Sequence, residues 1–296
     1  MAILVTGAAG LVGRAAVAAL LRQDVEHVRA VVRDPAQVAG LRRLGAKVAL
    51  LDATDPDGLA AAMDGVFTAC SLTGSLWSPP GEDPYAAVVG PAEVFLAAAG
   101  AAGVRRVVVC SPAAVGSAAG HDPPANPHLA AKAEVERMVA ASGLEYAILR
   151  CTHVLGPGSR LLDLLAARPP VKVPGDGRQR VAPVWVGDVA AAIAAADDAV
   201  ELAATWSLSG PDEVSVDALV DAVHGGPVAK HHLAAAAGLT HAQAEVLAAD
   251  SLADPALARP PGLVPTPLAE TLAATGALAH RRIAAAADLP GGTAGG

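Results

Sequence analysis

The chain has 296 residues, 53% of them hydrophobic and 17% charged, which is enough to bury a sizeable core without metal or disulfide staples and excludes a disordered chain. Its formal net charge is −8 with no clustered Lys and Arg, which argues against nucleic acid as the main ligand. The three cysteines, Cys70, Cys110 and Cys151, lack metal-ligand spacing and read as reduced packing thiols.

In chain order, Ala2 to Thr6 is a short β-branched run that stops at glycine, followed by a helix-period stretch in TGAAGLVGRAAVAALLRQ. A second strand is expected over Val28 to Val32, a helix over 36–44, and a third strand over Lys47 to Leu51. A Thr54-Asp55 cap then opens a helix reaching Met63. A fourth strand covers Val66 to Leu72. Residues 84–102 read as a long helix interrupted near Gly90-Pro91, and a fifth strand as Arg106 to Cys110. A helix from Leu129 to Ser142 precedes a sixth strand, Tyr146 to Arg150. Short apolar strands alternating with helices predict a parallel sheet covered on both faces. Six such units opening on a glycine turn fit the doubly wound Rossmann order 3-2-1-4-5-6.

After Cys151 the pattern loosens into Gly/Pro-rich loops. A helix is expected over Val186 to Ala196, a strand over Thr205 to Leu208 and a helix over Ser215 to Val223. Residues 232–285 read as Ala/Leu-rich helical material, and LPGGTAGG as a frayed tail. The expected fold class is therefore α/β, a doubly wound parallel sheet with a smaller C-terminal substrate-binding region. The core spans residues 1–155 and a mixed, mainly helical covering region spans 156–290, with 184–208 returning to the core. MAILVTG enters a strand without a leader pattern, and apolar runs are broken before they reach bilayer length. The expectation is a cytoplasmic protein with a small-molecule substrate and no nucleic-acid or membrane partner, its oligomeric state left open.

Gly7, Gly10 and Gly13 form a G-x-x-G-x-x-G turn between strand and helix. One glycine permits the tight turn, one lets backbone amides approach a pyrophosphate, and one lets helix and strand pack closely. The expected cofactor contacts here are Thr6, Gly7, Gly10, Leu11, Val12, Gly13 and Arg14. The second strand ends in Arg33-Asp34. An arginine at that place accommodates the 2′-phosphate of NADP, where an acid would select NAD, so NADP(H) is the expected cofactor and Arg14 a second phosphate candidate.

These stretches, with GAKVALLDATDPDGLAAAMDGV, AGVRRVVVCSP, AKAEVERMVAASGLEYAILR, VWVGDVAAAI and WSLSGPDEVS, resemble atypical short-chain dehydrogenases/reductases of the NmrA-like and epimerase-like kind over residues 1–223. The resemblance implies a cleft at the carboxyl ends of the strands, an adenine contact at Asp52, and a path to the nicotinamide near Ser71 to Thr73. It also implies a Tyr-x-x-x-Lys pair with a nearby serine. Here that stretch is His128-Leu129-Ala130-Ala131-Lys132, so the lysine is present and the tyrosine is not. Ser111 matches the serine, and its neighbour Pro112 departs from the pattern.

The expected catalytic set is Lys132, His128 and Ser111, with Lys132 also holding the cofactor. His128 stands one helical turn before Lys132 and is either a replacement general acid or a helix-start residue. Lys132 is either a ribose contact or a surface partner of Glu136. His153 is read as a substrate contact or a loop residue. His231-His232 read as a helix face without zinc-site spacing; Arg178 and Arg180 stand where the resemblance implies an approach to substrate, with an ordinary solvated loop the favoured reading. The leading expectation is an NADPH-dependent oxidoreductase reducing a small carbonyl, quinone or polyketide-like molecule. The alternative is a non-catalytic NADP(H) sensor, and an NAD-dependent epimerase ranks below both because of Arg33 and the missing tyrosine.

Overall fold

A computed structural model describes residues 2–23, 27–77, 81–117, 125–233 and 238–276. The first half alternates strands with helices, two helices standing between the fifth and sixth strands: β1 (Ala2–Thr6), α1 (Leu11–Arg22), β2 (His27–Val32), α2 (Val38–Leu44), β3 (Lys47–Leu50), α3 (Pro56–Ala62), β4 (Val66–Ser71), α4 (Pro84–Ala101), β5 (Arg106–Pro112), α5 (Ala114–Ser117), α6 (Pro127–Ala141) and β6 (Glu145–Cys151). Asp55, Asp83 and Asn126 cap α3, α4 and α6, each followed by proline at the first helical position, where its fixed φ and missing N–H suit a helix start.

The second half runs β7 (Val154–Leu155), α7 (Arg160–Leu165), β8 (Val171–Pro174), β9 (Arg180–Val181), β10 (Val184–Trp185), α8 (Val186–Asp198), β11 (Ala203–Leu208), β12 (Val214–Ser215), α9 (Val216–His224), β13 (Lys230–Leu233), α10 (His241–Ala248) and α11 (Leu268–Ala274). The main sheet has seven strands in the order β3-β2-β1-β4-β5-β6-β11, and every pairing in it is parallel. The doubly wound order read from the sequence is thus present, with β11 added beside β6.

Both faces of the sheet are covered, as near-continuous apolar strands require. One face packs Ala16, Val17 and Leu20 of α1 and Val189, Ala192 and Ile193 of α8. The other packs Leu59 of α3, Val88, Val89 and Phe95 of α4 and Val135 of α6. Small alanines let these helices lie close to the sheet. A separate apolar cluster joins Leu162, Val171, Val173, Leu219, Val220 and Leu272 beneath the short strands of the second half. The fully buried Arg106 ties the layers together. Its guanidinium donates to Glu145 and to the carbonyls of Ala196, Asp197 and Ala199 at the end of α8.

Four expectations are corrected. Helix α4 runs unbroken through Gly90 and Pro91. At 18 residues with mean hydropathy 1.3 it has bilayer length, contrary to the expected interruption; it packs on the sheet through Val88, Val89, Ala92 and Phe95. His231 and His232 lie on β13, paired in parallel with β8, because β8 offers an edge that neighbouring segments can complete. Residues 232–285 are not uniformly helical: α10 and α11 are separated by the proline-rich 249–267. The tail from 277 onward, including the expected frayed end, lies outside the described residues.

Candidate functional site

The glycine turn sits where β1 passes into α1. Gly7 has φ 65°, a conformation that side chains with a Cβ rarely adopt. A Cβ there would lie 2.6 Å from the Leu72 carbonyl oxygen, and one at Gly13 would lie 2.2 Å from that of Gly7. Both glycines are thus demanded by backbone crowding against β4 and inside the turn. Gly10 starts α1 without a side-chain cap, so the first-turn amides remain for a ligand, and the helix dipole favours an anionic one.

The turn opens on a cavity of about 380 Å³ at the carboxyl ends of the strands. Its walls come from residues 10–13, the loop 72–77 after β4, residues 110–114 at the end of β5, His128 and Lys132 of α6, and residues 151–154 and 158–161 after β6. Val246, Leu247, Asp250 and Ser251 close it from the C-terminal region. Arg160 stacks over Trp77, its guanidinium carbon 5.2 Å from the ring centre, so the two banks of the cleft touch.

Helix α6 delivers two side chains. Asn126 caps it by accepting from the His128 and Leu129 amides at 3.0 and 3.3 Å, which leaves the His128 ring free to line the cavity. Burial, reinforced by the Lys132 charge, lowers the His128 pKa to about 4, so the ring is neutral at pH 7. Lys132 is buried, and its Nζ donates to the carbonyl oxygens of Thr73 at 3.1 Å and Cys110 at 3.4 Å. Burial pushes its pKa down, while Cys110, Glu136 and Cys151 pull it back up. Glu136 is taken by Arg150 at 2.8 Å. Lys132 is therefore held between the ends of β4 and β5, and Gly74 makes room for it, since a Cβ there would sit 3.1 Å from Nζ.

Ser111 ends β5 beside them. Its Oγ is buried and has no hydrogen-bond partner among the described residues, although it lines the cavity; such a hydroxyl beside a buried lysine is a candidate ligand contact. Cys110 and Cys151 lie together in the same wall. A hydrogen bond from the Cys151 thiol to Cys110 and burial raise the Cys151 pKa well above the usual thiol value, which keeps it protonated and unreactive. His153 also lines the cavity, and burial lowers its pKa to about 4.

Among the residues expected from the sequence, Gly10, Leu11, Val12, Gly13, Ser111, His128 and Lys132 share this one cavity. Thr6 and Ser71 stand behind it, Thr6 donating to the Cys70 carbonyl at 3.3 Å and Ser71 paired with Thr73 at 3.3 Å. Arg14, Arg33 and Asp52 are exposed outside it. Arg33 lies close enough to Asp52 to help lower its carboxyl pKa, after the two Thr54 hydrogen bonds. Arg180 lies on β9, paired antiparallel with β12, and its side chain pairs with Glu213 at 2.8 Å, which corrects the expected solvated loop at this position. Sequence reasoning missed the wall at 246–251 and the Trp77–Arg160 contact, because nothing local in an Ala/Leu-rich stretch marks where it folds back.

The glycine cradle, the uncapped α1 terminus and the orphaned Ser111 hydroxyl fit a dinucleotide. Residues 7–186 match the family model described as NAD(P)H-binding. The chain belongs to that NAD(P)H-binding family. No curated protein matches the sequence. Among solved structures, MoeE5 in complex with UDP-glucuronic acid and NAD is 25% identical, with TM-score 0.72 over 96% of this chain and 100% of that one. The NADPH-dependent quinone oxidoreductase QOR2 from Escherichia coli, complexed with NADPH, is 23% identical, with TM-score 0.71 over 92% and 98%. UDP-glucuronic acid 4-epimerase from Bacillus cereus is 19% identical, with TM-score 0.73 over 96% and 100%. The NAD(P)H-binding chain thus has the fold of epimerase-like and reductase-like short-chain dehydrogenases/reductases.

Proposed function

We propose that this NAD(P)H-binding protein is an NADPH-dependent reductase of a small carbonyl, quinone or conjugated polyketide-like compound. The observation that carries the reading is the set of Lys132, Ser111 and neutral His128 in one cavity with residues 10–13. When bound, NADPH supplies the hydride. The amides of the first turn of α1 would hold the pyrophosphate, and Arg33 and Arg14, both exposed outside the cavity, would meet the 2′-phosphate. Lys132 orients the nicotinamide ribose, its own position set by the Thr73 and Cys110 carbonyls.

Ser111 Oγ, with no partner among the described residues, donates to the substrate oxygen and stabilises the negative charge that develops there. His128 adds a neutral ring N–H rather than a proton reservoir, because its imidazolium is scarce above about pH 4. That suits an acceptor whose reduced form is a delocalised anion, protonated by water without a resident tyrosine. Calorimetric titration with NADPH, NADP+, NADH and NAD+, followed by a quinone and enone turnover screen, tests the reading. Preference for the phosphorylated pair and NADPH oxidation are the expected results. Binding without turnover on any acceptor would instead support the sensor reading, and equal binding of NADH would remove Arg33 from its role.

A further inference from the structure

Beyond the cofactor cavity lies a second chamber of about 290 Å³, and the two share His153, Leu161 and Leu247 in their walls. By the roughly 30 Å³ that a water occupies in the liquid, its volume suits about ten non-hydrogen atoms. Its remaining walls are aliphatic, built from leucines of α7, Val216 and Leu219 of α9, Leu239 and three small or ring-closed residues on either side of β8. Two cations complete it, Arg168 and Lys172, both solvent-exposed. Among the described residues, no carboxylate lines the chamber.

We infer that this chamber selects an amphipathic carboxylate, with an aliphatic body of about ten non-hydrogen atoms inside, its reducible carbonyl beside His153 and its carboxylate at Arg168 and Lys172. The inference rests on the reductase reading of the adjoining cavity and names the substrate class for it. Aliphatic walls reward removal of apolar surface from water. They cannot satisfy the hydroxyls of a sugar, each of which would be stranded without a partner. An ionised group is costlier still to bury, so the carboxylate stays at the exposed rim, where two cations and water meet it. The neutral carbonyl is the one polar group that can pass inward, and His153 stands where the two cavities join.

The test is calorimetric titration of the full chain with octanoate, octan-1-ol and butanoate, with and without NADPH. Octanoate is expected to bind about tenfold more tightly than the alcohol, as one charge-assisted contact is worth, and butanoate not measurably. The Arg168→Ala/Lys172→Ala double variant, altered only at exposed positions, should lose the octanoate preference and keep the alcohol affinity. Leu164→Trp, half-buried in the chamber wall, should abolish binding of both while NADPH binding, the check on folding, persists. Equal binding of octanoate and octan-1-ol, or a preference that survives the double variant, would overturn the proposal. Because these readouts need no turnover, a protein that binds octanoate as described yet reduces no carbonyl would defeat only the reductase reading.

Discussion

The two ends of the cleft are built from different materials. The cofactor end is made largely of backbone: the Gly7–Gly13 turn, the uncapped start of α1, and the Thr73 and Cys110 carbonyls that seat Lys132. The far end is made of side chains drawn from α7, β8, α9 and α10, which meet only because the second half folds back over the sheet. A backbone site tolerates almost no added atom but is indifferent to most side chains, whereas a side-chain site accepts conservative changes and fails when its volume or charge is altered. The first is suited to one invariant cofactor, the second to a substrate class that is set by a few residues.

The contrast can be broken most severely where both ends depend on the same scaffold. Arg106→Met should strand the three carbonyls at the end of α8, while Glu145 keeps Arg105 at 2.7 Å, and lower stability by about 3–5 kcal/mol, since each buried acceptor left unpaired costs about 1–3 kcal/mol; urea unfolding followed by circular dichroism reads this. Gly13→Ala comes next. Its Cβ would meet backbone 2.2 Å away, so the turn must shift, with NADPH affinity falling by roughly a hundredfold and stability by about 1–3 kcal/mol of overpacking. If Gly13→Ala bound NADPH normally, the backbone account of the cofactor end would be wrong.

A smaller effect separates function from stability. Ser111→Ala removes a buried hydroxyl that has no partner among the described residues, so the thermal midpoint should hold or rise slightly while kcat/KM falls about tenfold, the worth of one hydrogen bond of roughly 1.4 kcal/mol. A drop in midpoint with unchanged kcat/KM would reverse the assignment. Arg33→Ala should reduce NADPH affinity roughly tenfold and leave NADH affinity alone, since on the proposed reading this exposed residue would meet only the extra phosphate. Isothermal titration of both nucleotides decides it.

The gentlest perturbation is pH. His128 and His153 have folded-state pKa values of about 4, below the ordinary imidazole value of 6.5. Above pH 6.5 both are neutral folded and unfolded, so neither adds pH dependence. As pH falls from 6.5 towards 4, the unfolded chain binds protons that the fold excludes, and stability drops by at most about 1.4 kcal/mol per unit for each histidine. Gln at both positions should flatten this slope in thermal melts between pH 4.5 and 7. An unchanged slope would mean the rings are not held neutral.

Much of the cofactor end was legible in advance. A glycine triplet after five apolar residues restricts the chain locally, and local restriction is visible as residue type and spacing. His128 and Lys132 were legible as a pair for the same reason, four residues apart on one helix. The continuity of α4 through Gly90-Pro91 was not, because packing of Val88, Val89, Ala92 and Phe95 against the sheet outweighs the helix-breaking tendency of proline. The β-strand at His231-His232 was also hidden, since it exists only by pairing with β8.

By itself, the sequence determined the parallel α/β sheet, the dinucleotide turn and the pairing of His128 with Lys132 on one helix, since each follows from periodicity or from backbone geometry within a few positions. Only the tertiary structure decided that Ser111 has no partner among the described residues, that Lys132 is claimed by two carbonyls rather than by Glu136, and that an aliphatic chamber with two cations adjoins the cofactor cavity. These depend on contacts between segments up to a hundred residues apart, where the burial of apolar surface by the whole fold, rather than any local preference, chooses which side chains meet.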